Sequence, residues 1–512
     1  MQLSIYCTWT TLPVQLHLCC RRTVHCREEI FRHLTHAARL KSTKGHRAAL
    51  CGDRLMTKSK QKNRIGLWAI VTIGLLAGAV LVGRRVFPPG RAESGKPNII
   101  FILTDDLGYG DLGSYGQTLI KTPNLDRMAA EGIRFTDCYS GSTVCASARC
   151  GLMTGLHNGH AYIRTNSKPP DTPLRKQDET VAELLKSAGY STGVIGKWGL
   201  GGAVSSGNPT RKGFDYSYCF LEHGEGDYFP TYLWRDEQPV LIRPGSYQQA
   251  LFTDDAVQFI RRNHKHPFFL YLAYMVPHAP AGVPDEGPYK KMGWPKQDRE
   301  YAAMISYMDR DVGHIFQTLK EMGLDDDTVV FFSSDNGPPR PDFFHSAGPL
   351  NGQKRSLYEG GIRIPMIVRW PGRFTPGQAS DQPWAFWDFM PTAADIAGIG
   401  PPSGLDGISM LPTLTGVGQQ APHKPLYWEF YVTANSDFLQ AVRIGKWKAI
   451  RDIRDGQVSL YDLDVDIGEN TDVAAQHPDI IASAVQLMKQ EHTPCLTCGT
   501  GSEAFEEPIH NH

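Results

Sequence analysis

The segment Asn98–Asp106, NIIFILTDD, decides the fold class of this 512-residue chain. A run of five large apolar residues followed by polar ones is typical of a strand buried on both faces, as in a parallel sheet. Short apolar runs recur at Thr192–Ile195, Phe268–Tyr274 and Thr328–Phe332, and helical patterns lie between them. This alternation predicts an α/β domain with a large, mostly parallel sheet flanked by helices.

The sequence pattern changes after about Gly416. Leu439–Ile450 and Gln457–Leu463 have strand character with glycine turns, and a helical pattern follows near Asp479–Gln490. We therefore expect a catalytic domain at residues 97–415, followed at 416–512 by a smaller C-terminal α+β subdomain with antiparallel strands and a helix.

The N-terminal region differs from the rest of the chain in charge. Residues 1–64 hold 13 Lys/Arg against 3 Asp/Glu, which leaves 40 against 50 in the remainder of a chain with zero net charge. Because the remainder is acidic and has no basic stripe, we do not expect nucleic acid as a partner. The leader 1–64 lacks apolar periodicity, and we expect it to be disordered.

An uncharged apolar run follows this basic leader. Residues 65–83, IGLWAIVTIGLLAGAVLVG, are just long enough to span a bilayer. The run is either an uncleaved transmembrane anchor or the apolar region of a cleaved secretory signal. Both alternatives export what lies beyond the linker 84–96, as a membrane-anchored or secreted protein in a periplasmic or extracellular location.

Polar residues suited to catalysis or binding follow each of the four apolar runs. They are Asp105 and Asp106 after the first run, Lys197 after the second, His278 after the third, and Asp335 with Asn336 after the fourth. Ligands of open α/β sheets bind at the carboxyl ends of the strands. We therefore expect these side chains to meet at one edge of the sheet.

The acidic and amide residues of this group form an oxygen-only ligand set. Oxygen ligands favour hard cations, Ca²⁺ or Mg²⁺, over zinc. The pair Cys495 and Cys498 has the CxxC spacing of a zinc site, but no second pair lies nearby. It forms either a local disulfide or two free thiols.

A candidate nucleophile lies in the stretch GSTVCASARCGLMTG at residues 141–155. Cys145 is expected at the start of a short helix, with Arg149 one turn further on. A helix N-terminus and an arginine both favour anions, so the position suits an oxyanion ester and a nucleophile of lowered pKa. The alternative is that Cys145 is an inert, buried small hydrophobe.

The same stretch resembles the signature C-x-P-x-R-x-x-L-x-T-G of the sulfatase family. Further similar segments are PNIIFILTDDLGYGDLGSYG from Pro97, TPNLDRMAAEGIRFTDCYS from Thr122, SDNGP from Ser334 and KRSLYEGGIRIPMIVRWPG from Lys354. The resemblance runs in order from about Pro97 to about Asp472. It is to the formylglycine-dependent, arylsulfatase-like members, and it implies the alkaline-phosphatase-like fold.

The resemblance implies a modified residue and a metal ion. Cys145 matches the cysteine that a formylglycine-generating enzyme oxidises to formylglycine, whose hydrate is the nucleophile. The implied ligands of Ca²⁺ are residue 145 itself together with Asp105, Asp106, Asp335 and Asn336.

The resemblance also implies roles for the basic residues. Arg149 is expected to hold formylglycine, Lys197 and Lys354 to bind the sulfate oxygens, and His278 to protonate the leaving-group oxygen. The implied reaction is hydrolysis of aryl or carbohydrate sulfate esters, with a sulfated small molecule or glycan as partner.

Two residues depart from the family pattern. Ser147 stands where the family has proline or, less often, alanine, in the part of the signature that the maturing enzyme recognises. Gly199 stands in the place of a histidine that lies near formylglycine in the family, and His223 and His345 are candidates to replace that imidazole. These departures motivate one alternative, a catalytically impaired sulfatase-like protein that binds sulfated glycans. A second alternative keeps the fold and changes the substrate, as a phosphoester or phosphonate hydrolase.

Three aromatic residues, Tyr228, Tyr232 and Trp234, lie in a segment with loop character. They form either a wall on which a sugar or aryl ring stacks or a local packing cluster.

Overall fold

The computed structural model describes residues 95–166, 172–222, 227–431, 438–495 and 498. The leader 1–64, the apolar run 65–83 and most of the linker 84–96 lie outside the described residues. Within the described ranges, no helix combines the length and the apolar character that crossing a bilayer requires.

The described residues form sixteen strands. They are β1 (Asn98–Thr104), β2 (Ile133–Phe135), β3 (Cys138–Tyr139), β4 (Ser191–Lys197), β5 (Tyr216–Phe220), β6 (Tyr232–Arg235), β7 (Gln238–Leu241), β8 (Phe268–Ala273), β9 (Thr328–Ser334), β10 (Met366–Arg369), β11 (Gln378–Ser380), β12 (Trp384–Ala385), β13 (Leu426–Tyr431), β14 (Phe438–Ile444), β15 (Trp447–Asp452) and β16 (Val458–Asp462).

Nine α-helices accompany these strands in the described part of the chain. They are α1 (Pro123–Glu131), α2 (Cys145–Thr154), α3 (Val181–Ser187), α4 (Gln248–Asn263), α5 (Lys296–Glu321), α6 (Glu359–Ile362), α7 (Phe389–Ile396), α8 (Leu411–Thr415) and α9 (Pro478–Gln490).

Ten of the strands form one mixed sheet in the order β11-β2-β10-β9-β1-β8-β4-β5-β6-β7. The five adjacent strands β9, β1, β8, β4 and β5 run parallel, as the sequence predicts. The flanks depart from that pattern, because β10, β6 and β7 pair antiparallel with their neighbours. Large sheets of this class often carry antiparallel strands at their edges.

Strand β1 lies at the centre of this sheet and is buried along its whole length. Ile99, Phe101 and Leu103 face one hydrophobic layer, and Ile100 and Ile102 face the other. The first layer is covered by α2, α3 and α7, and the second by α1, α4 and α5. Burial on both faces explains why this strand is a continuous apolar run rather than an alternating one.

The C-terminal strands form a separate antiparallel sheet in the order β13-β14-β15-β16, and α9 packs against it. The chain turns between β14 and β15 at Gly445, whose φ of 58° lies in the left-handed region that favours glycine. The predicted antiparallel strands and helix are therefore present. Cys495 and Cys498 form a disulfide, while Cys138, Cys145, Cys150 and Cys219 are free and buried.

A buried ionic network joins α6 and β3 to the C-terminal sheet. Nζ of Lys448 on β15 donates to Oε1 of Glu359 at 2.8 Å and to Oε1 of Glu469 at 3.1 Å. Nη2 of Arg443 on β14 donates to Oδ2 of Asp137, next to β3, at 2.7 Å. Charges without access to water require such partners, so this network depends on the presence of every member.

Candidate active site

The polar residues after the four apolar runs meet at one edge of the sheet. Strands β9, β1, β8 and β4 are consecutive neighbours, and Asp335, Asp105, His278 and Lys197 follow or end them in that order. Parallel strands end on the same side of a sheet, which brings these residues to one edge. The contacts described next confirm the prediction that they converge.

Asp105 lies at the centre of the site and is fully buried. Its Oδ2 accepts a hydrogen bond from Nζ of Lys197 and lies 3.5 Å from Nη2 of Arg149. Its Oδ1 accepts from Sγ of Cys145 at 3.4 Å. Cys145 is the first residue of α2, as the sequence predicts, and it faces the carboxyl end of β1.

Arg149 lies one helical turn behind Cys145 and is also fully buried. Its Nε and Nη2 donate to Oδ2 of Asp335 at 3.1 and 2.8 Å, and its Nη1 donates to the carbonyl of Lys197 at 2.7 Å. A guanidinium held at three atoms has a fixed orientation. Arg149 therefore ties α2 to the ends of β9 and β4.

Asp106 forms the side of the site that is nearer to solvent. Its carboxylate lies 2.6 Å from Nζ of Lys354 and 3.7 Å from Nε2 of His278, and it accepts from Nδ2 of Asn336 at 2.7 Å. Nζ of Lys354 also lies 3.5 Å from Sγ of Cys145. The φ of Asp106 is 69°, a left-handed backbone that is uncommon outside glycine and typical of functional sites.

The oxygen atoms of the site fit a hard cation. Oδ1 of Asn336 is buried and, among the described residues, has no hydrogen-bond partner, although a buried amide oxygen normally has one. Ligand atoms of Asp105, Asp106, Cys145 and His278 all lie within 4.8 Å of one another. An orphaned amide oxygen beside clustered carboxylates is the donor chemistry that Ca²⁺ prefers.

Neighbouring charges move the pKa values of the buried carboxylates in opposite directions. Burial alone would raise the pKa of Asp105, but the surrounding cations, Lys197 above all, lower it well below its usual range. For Asp335, burial and the nearby Asp105 carboxylate raise the pKa to about 6 in spite of Arg149. Burial also opposes the charge of Lys354, yet the Asp106 carboxylate raises its pKa, so the lysine stays a cation.

The prediction of a lowered pKa for Cys145 is wrong. Burial raises the pKa of its thiol to about 12, and the Asp105 carboxylate adds to this effect, which Lys197 and Lys354 only partly oppose. Arg149, which was expected to favour the thiolate, is neutralised by Asp335. As a plain thiol, residue 145 is protonated at neutral pH and a poor nucleophile.

The two departures from the family pattern have different structural settings. Ser147 is buried inside α2 and donates to the carbonyl of Val144 at 3.2 Å. Gly199 has a φ of 72°, in the left-handed region, and its amide donates to the carbonyl of Leu221 at 2.9 Å. Because glycine has no side chain, position 199 supplies no imidazole to the site.

Of the two histidines suggested as its replacement, His345 lies among the described residues. His345 lies exposed on the loop between β9 and α6, and no described hydrogen bond or ion pair links its side chain to the site. His223 lies outside the described residues.

The aromatic segment gives a mixed result. Tyr228 is buried, with 5% of its surface exposed, and its hydroxyl donates to the carbonyl of His278. Tyr232 and Trp234 lie on β6 near the edge of the sheet, with ring centroids 6.3 Å apart. For Tyr228 the structure thus favours packing over a stacking wall.

Sequence reasoning missed a contact at the start of the nucleophile helix. Oδ1 of Asn166 accepts from the backbone amide of Ala146 at 3.0 Å and so satisfies one of the free amides at the N-terminus of α2. Asn166 lies twenty positions after Ala146, so no local capping pattern points to it.

A second cluster of ionisable residues lies beyond the other end of α2. Nε2 of His157 lies 3.1 Å from Oε2 of Glu491, and Nδ1 of His160 lies 2.9 Å from Oδ1 of Asp406. The amide of Gly159 donates to Nδ1 of His157, so Nε2 carries the ring proton and has no lone pair for a metal. We interpret this cluster as a hydrogen-bonded contact that fastens the segment after α9 to the loop after α2.

Comparison with known proteins agrees with this geometry. The family model described as sulfatase matches residues 97–399, and the model described as N-sulphoglucosamine sulphohydrolase, C-terminal, matches residues 352–493. The chain is 34% identical over 393 residues to human N-acetylgalactosamine-6-sulfatase, covering 70% of this chain and 73% of that protein. It is 35% identical over 389 residues to the arylsulfatase of Hemicentrotus pulcherrimus, covering 70% of this chain and 68% of that protein.

A solved structure gives the same result for the fold. The crystal structure of Ps i-CgsB in complex with k-i-k-neocarrahexaose superposes with a TM-score of 0.70 at 30% identity, covering 77% of this chain and 92% of that one. The fold and the site together define a hydrolase of oxyanion esters. The chain belongs to the sulfatase family, the sulfuric ester hydrolases of the alkaline-phosphatase-like fold.

Proposed function

We propose that the protein hydrolyses carbohydrate sulfate esters with a formylglycine made from Cys145 as its nucleophile. The observation that carries the proposal is the placement of Cys145, which contacts Asp105 and Lys354 while its thiol is held protonated. A residue in this position with an unreactive thiol suits conversion to another nucleophile. The hydrate of formylglycine supplies one hydroxyl to attack sulfur and a second whose deprotonation releases sulfate and restores the aldehyde.

The three cations of the site bind and orient the anionic groups. Lys197 and Lys354 each contact a carboxylate and lie beside residue 145, so they are placed to bind the oxygens of a sulfate next to it. Arg149 is fixed by Asp335 and holds α2, and thereby residue 145, against the sheet. Cations that are already in position stabilise the charge of the transferring sulfuryl group without reorganisation.

Asp105, Asp106, Asp335 and Asn336 would hold Ca²⁺ together with residue 145. When bound, the ion would neutralise charge on the sulfate oxygens and acidify the nucleophile's hydroxyl. The orphaned Oδ1 of Asn336 and the clustered carboxylates of Asp105 and Asp106 support this assignment.

His278 is the candidate proton donor to the leaving group. It follows β8 at the solvent side of the site, with about a quarter of its side chain exposed and its Nε2 toward Asp106. Burial lowers its pKa, although Asp105 and Asp106 oppose the shift. A sugar alkoxide is a poor leaving group, so protonation of its oxygen contributes directly to the rate.

The carbohydrate assignment follows from the relatives. Human N-acetylgalactosamine-6-sulfatase is named for a sulfated amino sugar, and Ps i-CgsB was solved in complex with k-i-k-neocarrahexaose. We further propose, from the apolar run 65–83, that the protein is exported and meets sulfated glycans outside the cytoplasm, after a formylglycine-generating enzyme has acted on Cys145.

The experiment is a sulfate-release assay on protein from a host that has formylglycine-generating machinery. The substrates are 4-nitrophenyl sulfate, N-acetylgalactosamine 6-sulfate and sulfated carrageenan oligosaccharides, each with Ca²⁺ or with a chelator. Cys145→Ala removes the nucleophile, and Cys150→Ala, at a free buried cysteine of the same helix, is the matched control.

We expect the wild type and the Cys150→Ala variant to release sulfate from a sugar substrate. The Cys145→Ala variant should lose at least about 10³-fold in kcat. Full activity of Cys145→Ala would contradict the proposal.

One observation supports a second candidate, a protein that binds sulfated glycans without turnover. Gly199 leaves the site without the imidazole that the family pattern has at this position. Ca²⁺ and glycan binding with no sulfate release from any of the substrates would establish this alternative.

A further inference from the structure

Tyr228 makes a hydrogen bond to the backbone of the candidate proton donor. Its hydroxyl donates to the carbonyl of His278 at 2.5 Å and lies 3.3 Å from the carbonyl of Met275. The tyrosine is buried. Residues Met275–His278 form a turn that is closed by the hydrogen bond from the His278 amide to the Met275 carbonyl. The two carbonyls that Tyr228 contacts therefore belong to the first and last residues of this turn. One phenol therefore closes both ends of the turn that presents the imidazole.

Tyr228 is itself held from a different part of the fold. The backbone amide of Gln248, at the start of α4, donates to the Tyr228 carbonyl at 3.0 Å. The centroid of the Tyr228 ring lies 6.2 Å from that of the Tyr247 ring. A Cβ on Gly282 would lie 2.9 Å from Cδ2 of Tyr228, so only glycine lets the chain beyond His278 pass so close to the ring. The phenol is thus a fixed support that does not depend on β8.

The imidazole has little else to hold it in place. Its nearest described polar partner is Oδ2 of Asp106, and 3.7 Å is beyond hydrogen-bond distance. The orientation of the ring therefore depends on the backbone from which it projects. A shift of the His278 peptide by a fraction of an ångström would move the ring relative to the leaving-group oxygen.

We infer that Tyr228 is a positioning residue for His278, and that its hydroxyl fixes the turn Met275–His278 so that the imidazole faces the leaving group. This inference rests on the proposed function. The described hydrogen bonds of the hydroxyl go to the carbonyls of His278 and Met275, while Asp105 and Asp106 interact with it through their charge alone. It therefore acts on the site through the His278 turn. A conservative Tyr228→Phe variant removes the hydroxyl and keeps the ring.

The first test does not require activity. Hydrogen exchange measured by mass spectrometry on the full chain compares Tyr228→Phe with wild type and with Tyr216→Phe, a control on β5 that loses the hydrogen bond from its hydroxyl to Asp255 on α4. We expect exchange at the His278 turn to quicken at least about tenfold in Tyr228→Phe alone. Unchanged exchange at this turn would overturn the inference.

The second test uses the chemistry of the leaving group. A nitrophenolate leaves without a proton, whereas a sugar alkoxide needs one, so a displaced His278 should affect only the second. For Tyr228→Phe we expect kcat to fall about tenfold on a sugar sulfate, with little change in KM and less than about twofold change on 4-nitrophenyl sulfate.

The outcomes separate this inference from the proposed function. Equal losses on both substrates would mean a general structural role for Tyr228 and would overturn the inference. If the wild type hydrolyses neither substrate, the proposed function fails, and the exchange measurement alone decides whether Tyr228 orders the turn.

Discussion

At the scale of single residues, the site is defined by groups that are buried and charged at once. Asp105, Asp335 and Arg149 have no access to water, and each contacts an opposite charge. Such an arrangement costs free energy to assemble, because every ion loses its hydration. Its retention in this chain argues for a function that needs preorganised charge.

The amide of Asn336 provides a direct test of the metal assignment. Asn336→Ala removes the orphaned Oδ1 from the proposed ligand set, and the affinity for Ca²⁺ should fall at least about tenfold. Isothermal titration of the intact protein with Ca²⁺ measures this change. Unchanged affinity in a variant that folds normally would remove Asn336 from the ligand set.

Gly199 is expected to matter for backbone geometry. Because its φ is 72°, Gly199→Ala should lower the free energy of unfolding by at least about 1 kcal/mol. Gly293 is a matched control, since its φ is ordinary and a Cβ there meets open space, so Gly293→Ala should have no such cost. Equal unfolding midpoints for the two variants in a denaturant titration would refute the conformational explanation.

At the scale of elements, the order of the strands turns a local pattern into a site. The polar residues after β1, β4, β8 and β9 could be found in the sequence because each follows a recognisable apolar run. Their convergence could be inferred only from the general rule on parallel strands, and the structure shows these four strands side by side.

The features that could not be predicted from the sequence depend on contacts between residues far apart in the chain. The raised pKa of Cys145 comes from burial and from Asp105, which lies forty residues away in the chain. The contact between Tyr228 and His278 joins residues fifty positions apart, and the antiparallel flanks of the sheet depend on loops whose course no short motif encodes.

The buried network between α6 and the C-terminal sheet gives a prediction at this scale. Lys448→Met leaves Glu469 buried without its cation and Glu359 with Arg363 alone, so the free energy of unfolding should fall by about 3 kcal/mol or more. Lys446→Met is the matched control, because Lys446 is exposed and pairs with Asp462, and it should cost less than about 1 kcal/mol. If chemical denaturation gave similar losses of unfolding free energy for the two variants, the buried network would not stabilise the protein more than an exposed ion pair does.

At the scale of the whole molecule, a buried histidine joins three distant segments. Nε2 of His423 lies 2.8 Å from Oδ2 of Asp388, whose carboxylate also accepts from the amides of Ala385 and Ile408. Nδ1 of His423 lies 2.9 Å from the carbonyl of Lys424. Because both ring nitrogens face acceptors, the contact is best satisfied by the imidazolium.

This contact predicts how stability depends on pH. Burial opposes the charge of His423, but the Asp388 carboxylate raises its pKa above the ordinary value of about 6.5. The folded state therefore holds this proton more tightly than the unfolded state. The stabilisation is fully present below about pH 6.5 and is lost as the pH rises through the folded-state pKa.

The variant His423→Gln checks this dependence. At pH 6 it should be less stable than the wild type by about 1 kcal/mol or more, and the difference should shrink at alkaline pH. Denaturant titrations at several pH values measure it. A difference that grows with pH would contradict the assignment of an imidazolium.

The central claim is that residue 145 becomes a formylglycine, and one measurement tests it most directly. The protein is purified from a host with formylglycine-generating machinery, and the tryptic peptide Phe135–Arg149 is sequenced by mass spectrometry. We predict an aldehyde at position 145 in spite of Ser147. An unmodified thiol in this peptide, found also in protein from the native source, would contradict the account, because the nucleophile would then never be made.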